Sequence, residues 1–329
     1  MERRPGLEPA VAEIRRAVRV ALAGVDGPVV IGLSGGADSL ALTAAVAFEA
    51  PKIGVSAIAV VVDHGLQPGS DIVAARAVAA AGDLGIPARA VAVEVGTEGG
   101  LEAAAREARR AALRDAARAA GARTILLAHT LDDQAETVMI GLARGSGATS
   151  LAGMAPIRAD DGLVWLRPLL AVRRETTRAA CLAEGLPAWH DPHNLDRRFL
   201  RVRVREEVLP RLEVELGPGV AEALARTAEQ LREDADAFAE MIDEVIEDIV
   251  EPAEAGIAVS VAALVANPAA LRHRIIRHVV ASEFGQSLTR AQTLEVARLA
   301  TDWHGQGPID LPRCRASRRG AVIAFTAAG

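Results

Sequence analysis

With 329 residues the chain exceeds the roughly 100–200 residues of a typical single domain, so two domains are expected. Half of the residues are apolar but only 2% are aromatic, with no Tyr, so the core must rest on Ala, Val, Leu and Ile, which suits helices laid over parallel strands. The formal net charge of −6 argues against a polyanionic partner unless charge is unevenly distributed, and Cys181 and Cys314 form no CxxC pair, which excludes a zinc knuckle, an iron–sulfur site and a disulfide framework.

Short apolar runs alternate with helical patterns through the first half. Strands are expected at residues 28–33, 55–62, 88–93 and 124–128, and helices at 39–50, about 71–84, 101–120 and 131–143. This rhythm implies an α/β fold, a doubly wound parallel sheet of Rossmann-like type with right-handed crossovers. Ligands of such sheets sit outside the carboxyl ends of the strands. Residues 144–216 are looser, punctuated by glycines and prolines, and Leu216-Gly217-Pro218-Gly219 marks a linker. A catalytic domain over 1–216 and a smaller, mostly helical domain over 217–329 follow. The second carries helical patterns at 220–250, 268–280 and 289–300, with a terminal hairpin expected between 309–311 and 321–325.

Charge is indeed uneven. Acids crowd into 229–254, whereas Arg197, Arg198, Arg201, Arg203 and Arg205 form one basic run and Arg313, Arg315, Arg318 and Arg319 another. Every basic residue except Lys52 is an arginine, a skew that with the abundance of Ala points to a GC-rich coding bias. No apolar signal segment follows Met1, and the longest uncharged stretch, 255–271, is too short and polar to span a bilayer. A soluble, cytoplasmic protein without a membrane partner is expected.

The most informative segment is Ser34-Gly35-Gly36-Ala37-Asp38-Ser39, a turn between a strand and a helix. Gly35 and Gly36 let backbone N–H groups approach an anion, and the helix start adds partial positive charge. Ser34 and Ser39 add hydroxyl donors. Asp38, a carboxylate beside phosphates, calls for a Mg²⁺ between them. No Lys follows the glycines, which excludes a Walker A loop, and the dinucleotide G-x-G-x-x-G spacing is absent. His64 and His129 follow the second and fourth strands at the ligand edge. Asp132, Asp133 and Glu136 open the next helix on neighbouring faces, either as dipole-stabilising caps or as Mg²⁺ ligands, a site for an organic cation or a base.

The loop at 34–39 resembles that of the PP-loop ATP pyrophosphatases, which cleave ATP between its α and β phosphates. Val62-Asp63-His64-Gly65-Leu66, Ala128-His129-Thr130-Leu131-Asp132-Asp133-Gln134-Ala135-Glu136-Thr137, Arg144-Gly145-Ser146-Gly147, Arg167-Pro168-Leu169-Leu170 and Trp189-His190-Asp191-Pro192-His193-Asn194 further resemble the tRNA(Ile)-lysidine synthase family. Membership would imply that ATP adenylates the C2 oxygen of the wobble cytidine in a CAU-anticodon isoleucine tRNA. The ε-amine of free L-lysine would then displace AMP. It would assign Ser34, Gly35, Gly36, Ala37, Asp38, Ser39, His64, Arg144 and Gly145 to ATP, and Asp38 and Asp133 to Mg²⁺. It would also place Asp38, Arg106, His129, Asp133 and Glu136 in catalysis and Arg197, Arg201 and Arg205 on tRNA, and make 217–329 a tRNA-binding domain. Two positions depart from the common pattern: Thr130 where a second His is frequent, and Arg110 where Tyr is. A PP-loop tRNA sulfurtransferase and an ATP-holding sensor without chemistry are the competing readings.

Overall fold

The computed structural model describes residues 7–96, 100–145, 147–189, 196–253 and 256–328, the side chain of Glu102 excepted. The chain divides into two units, Met1–Arg232 and Glu233–Gly329.

The first unit opens with α1 (Pro9–Leu22), whose Val11, Ile14, Val18 and Leu22 recur every three or four residues and form one buried stripe. The alternating elements follow as β1 (Val29–Leu33), α2 (Ala37–Glu49), β2 (Ala57–Asp63), α3 (Ser70–Asp83), β3 (Ala88–Ala92), α4 (Leu101–Ala119), β4 (Thr124–Leu126) and α5 (Leu131–Ala143). After the short α6 (Ala148–Leu151), β5 (Ile157–Asp160) and β6 (Leu163–Leu166) form a hairpin, and α7 (Arg174–Ala183) returns to the sheet. The sheet order is β3-β2-β1-β4-β6-β5, parallel except for β5. Strand order therefore reverses at β1, and the crevice between the carboxyl ends of β1 and β4 is the expected ligand position. α1, α2, α3 and α7 pack on one face around Ile31, Leu40 and Leu42, while α4 covers the other through Leu113, Ala116 and Ala117 against Ile125 and Trp165. At the far end of α2, buried Glu49 accepts hydrogen bonds from Arg19 Nε and Nη2 (3.0 and 2.9 Å) and pairs with Lys52 (3.1 Å).

A third apolar cluster joins Leu131 and Ala135 of α5 to Val204, to α9 (Leu209–Leu216) and to the start of α10 (Val220–Ile249). α8 (Leu200–Arg203) runs into a π-helical turn (Val204–Val208) before α9. The unit boundary thus lies at Arg232, inside α10, beyond the expected 216/217. The first turns of α10 pack through Ala221, Leu224 and Ala225 on the first unit, so the glycine turn is an internal bend.

The second unit continues with β7 (Val250–Ala253), β8 (Gly256–Ser260), α11 (Val261–Ala266), α12 (Ala269–Phe284), α13 (Arg290–Thr301), β9 (Ile309–Leu311), β10 (Cys314–Arg319) and β11 (Val322–Ala327). Its sheet order is β7-β8-β11-β10-β9, antiparallel throughout. The expected hairpin of 309–311 with 321–325 is therefore incorrect: β10 lies between the two strands. Its alternation, with Cys314 and Ala316 buried and Arg315 exposed, is what its arginines disguised as a basic run. The core joins this sheet to α12 and α13 around Ile275, Ile276, Val296 and Phe325. No helix among the described residues is long and apolar enough to cross a membrane.

Candidate active site

The loop between β1 and α2 is shaped by its own hydroxyls. Ser39 Oγ donates to the Gly36 carbonyl (3.0 Å) and accepts from Ser34 N (3.1 Å), while the two serine hydroxyls lie 3.0 Å apart. Gly35 has φ +80°, and a Cβ there would lie 3.1 Å from the Ala77 methyl, so backbone conformation and space both demand glycine. Gly36 caps α2 without a side chain, leaving the first N–H groups of the helix to an anion. Trp189 N donates to the Gly35 carbonyl (2.9 Å), fastening the chain beyond α7 to this loop.

Opposite the loop, α5 begins with a reciprocal cap. Thr130 N and Oγ1 donate to Asp133 Oδ2 (2.8 and 2.9 Å), and Asp133 N donates back to Thr130 Oγ1 (3.4 Å). The departure at Thr130 thus supplies the helix cap. Asp132 Oδ2 accepts from the backbone N of Arg174 (2.8 Å) at the start of α7. Asp133 therefore caps its own helix and Asp132 the start of α7, while the second oxygen of each meets a charged partner.

For Asp132 that partner is Arg173 (3.3 Å), and for Asp133 it is chiefly Arg174, whose side chain is 12% exposed. It donates to Asp133 Oδ1 (2.7 Å) and Glu136 Oε1 (3.1 Å), and its Nε lies 3.7 Å from Asp38 Oδ2. Arg205, carried by the π-helical turn, donates to Glu136 through Nε (2.7 Å) and Nη2 (3.0 Å). Arg201 Nη2 donates to Thr137 Oγ1 (3.1 Å), with Nη1 3.8 Å from Glu136. Glu136 is 0% exposed. Thr177, one turn after Arg174, donates to Asp38, and Cys181, one turn further, donates to the Ala37 carbonyl (3.2 Å). The face of α7 carrying 174, 177 and 181 thus underlies the phosphate loop.

Burial penalises the charge of Asp133, but Arg174 and its other partners outweigh this and hold its carboxyl below the usual range. Burial likewise opposes the Arg174 cation, yet Asp133, Glu136 and Asp38 hold it above its ordinary value. For Asp38 burial prevails over Thr177 and Arg174, and its pKa is raised. Burial also dominates at His129, with Arg109, Arg167 and Arg106 adding to it against the pull of Asp133, so this imidazole is neutral near pH 7. The Nδ1 atoms of His129 and His64 are buried without a hydrogen-bond partner among the described residues.

Beside the loop lies a cavity of about 630 Å³, at the carboxyl ends of β1 and β2. Ser34, His64, Leu66, Arg109, Trp189 and Phe199 stand among its walls. Two of the eight aromatic side chains in the chain, five Phe and three Trp, meet here.

Most of the expected site converges: the 34–39 loop, His64, His129, Asp133 and Glu136, with Arg106 on α4 close enough for its charge to act on His129. Arg144 and Gly145 do not join it. They follow the last turn of α5, whose 13 residues set them about 20 Å from its capped start. Of the arginines expected on tRNA, Arg197 is exposed and pairs with Glu207 (3.1 Å), whereas Arg205, in the π-helical turn, points inward to Glu136. Arg203 donates to the carbonyls of Arg197 and Arg198. Arg110, the other departure, pairs with Asp160 (2.6 Å). Ser146 and the motif residues 190–194 lie outside the described residues. Arg174, Thr177 and Arg109 were not singled out as acting on the site. The three-and-four spacing of 174, 177 and 181 was the signal available for α7.

Residues 12–212 match the family model of the PP-loop domain, and residues 260–321 match that of the TilS substrate binding domain. The tRNA(Ile)-lysidine synthase of Leifsonia xyli subsp. xyli is 58% identical over 299 residues, covering 90% of this chain and 89% of the relative. That of Streptomyces coelicolor is 50% identical over 299 residues, covering 88% and 82%. Among solved structures, the U34-tRNA thiolase NcsA from Methanococcus maripaludis superposes with a TM-score of 0.59 over 68% of this chain and 80% of its own, at 22% identity, a likeness of fold.

Proposed function

This chain belongs to the tRNA(Ile)-lysidine synthase family, and we propose that it joins the ε-amine of free L-lysine to C2 of the wobble cytidine in a CAU-anticodon isoleucine tRNA. The cytidine O2 attacks the α-phosphorus of ATP and pyrophosphate leaves. The amine then adds at C2, the C2–O bond breaks with AMP retaining the oxygen, and the amine releases a proton. The observation that carries this reading is the meeting, at the β1/β4 switch point, of an anion-binding helix start with three carboxylates beside a roomy cavity.

The open N–H groups at the start of α2 suit the departing phosphates. Asp38 Oδ2 and Asp133 Oδ1 both face the Arg174 cation, and the same pair of oxygens fits a Mg²⁺ that neutralises phosphate charge. Among the described residues no group of three His, Cys, Asp or Glu side chains is arranged for a metal, so the triphosphate would supply most of its ligands. Neutral His129 offers a hydrogen bond at the reacting base, and Arg106 and Arg109 offer positive charge for the developing oxyanion. Asp133 and Glu136 suit the ammonium of lysine, with Arg174 and Arg205 suited to its carboxylate or to AMP. Because Glu136 already accepts from two guanidiniums, anchoring them is the role its contacts favour over that of a free base. Arg197 remains available to the tRNA backbone from outside, with Arg201 and Arg205 meeting the tRNA at the site itself.

Sulfur transfer is less well supported. The Cys181 thiol is pushed up to about 12 by burial and donates to the Ala37 carbonyl, unlike a reactive thiolate. Turnover with labelled lysine and unmodified CAU-anticodon tRNA tests the proposal: release of AMP, and of pyrophosphate beyond a single turnover, should require both. Sustained AMP release without lysine incorporation would rule the reaction out.

A further inference from the structure

We infer that the outward face of α12, with the start of α13, is a phosphate-binding surface for the RNA substrate; this rests on the reading that the substrate is a tRNA. The buried residues of α12, namely Leu271, Ile275, Ile276, Val279 and Val280, occupy one side of the helix. His273, Arg274, Arg277 and His278 fall on the opposite side, three and four residues apart. Arg290, exposed at the first residue of α13, adds a further cation from the helix packed beside it. The Arg277 and Arg290 side chains have no hydrogen-bond or ion-pair partner among the described residues. Arg274 meets only a carbonyl of its own helix and the Phe238 ring, 3.9 Å from the guanidinium carbon. The charges of Arg274 and Arg290 instead bear on Arg277, which burial already disfavours as a cation. Arg290 also stands where the helix dipole disfavours positive charge.

Several of the other arginines are engaged. Arg315 pairs with Asp310 (2.7 Å), Arg318 donates to the Leu299 carbonyl (3.0 Å), Arg198 pairs with Asp196 (2.7 Å), and those of the active site hold its acids. Mutually repelling cations without counter-charges weaken a fold and strengthen binding to a polyanion. The regular spacing of phosphates along an RNA backbone offers that partner.

Binding of the unmodified CAU-anticodon tRNA transcript is measured against salt for three forms of the full chain: wild type, Arg277→Gln/Arg290→Gln and Arg277→Lys/Arg290→Lys. The Gln pair should flatten the log–log salt slope by about two, while the Lys pair keeps it. ATP affinity should match wild type and thermal unfolding of the Gln pair should come no lower than wild type, since these side chains hold no partner in the fold and repel one another. Wild-type binding with parallel salt lines for the Gln pair overturns this surface alone. No tRNA binding by wild type at low salt overturns the tRNA reading with it.

Discussion

Glu136 has no exposed surface, yet its carboxylate accepts from Arg174 and Arg205 with Arg201 close by, and Asp133 shares two of these cations. Removing one member of such a group leaves the others buried without their counter-charge. Glu136→Ala should therefore cost about 3–5 kcal/mol of stability, well beyond the cavity left by its methylenes. Urea unfolding at neutral pH measures it, and a loss below about 1 kcal/mol would equate the network with an exposed ion pair. The same arrangement explains why the residue's chemical role was ambiguous from sequence. An acid in the second turn of a helix is visible there, but the arginines that occupy it come from residues 174, 201 and 205.

At the scale of elements, α7 decides how the phosphate loop is supported. Thr177 Oγ1 donates to Asp38 and lies 2.8 Å from the Arg174 carbonyl, placing the carboxylate beside the same turn that presents the guanidinium. Thr177→Val keeps the shape but removes the donor, and should cost about 1–2 kcal/mol while lowering kcat/KM for ATP. Thr177→Ser should restore both, and an unchanged kcat/KM in the Val form would detach α7 from the loop's work. The parallel strands were legible because buried apolar runs such as 29–33 have few alternatives. The loop was legible because glycine, hydroxyl and acid occur in one stretch. α7 was hidden among prolines and arginines, and α1 lay before the first strand. β10 was hidden because its exposed positions are arginines, so charge masked a period of two. Wherever a residue's partner is distant in sequence, local pattern carries no trace of it.

The molecule as a whole has two separate sets of cores, one in the sheet of six strands and one around Phe325 and Ile276. Phe325 is fully buried in the second. Phe325→Ala should lower the stability of that unit by about 3–5 kcal/mol. Trp303 reports on that unit, while Trp165 and Trp189 belong to the first. In urea, the fluorescence change of Trp303 should move to lower concentration in the variant, while ATP affinity in native buffer remains that of wild type. Coincident shifts of all three tryptophans would show that the units unfold as one.

Lys52 holds the single lysine side chain of this molecule, and its amine is committed to Glu49 at the far end of α2, about 20 Å along the helix from the phosphate loop. Every side-chain cation around Asp38, Asp133 and Glu136 is a guanidinium, which stays protonated and has no free electron pair to offer an activated carbon. The proposed reaction, which awaits an incoming alkylamine, would thus take place in surroundings free of rival lysine side chains. The enzyme holds its acids in register with groups that cannot become its product.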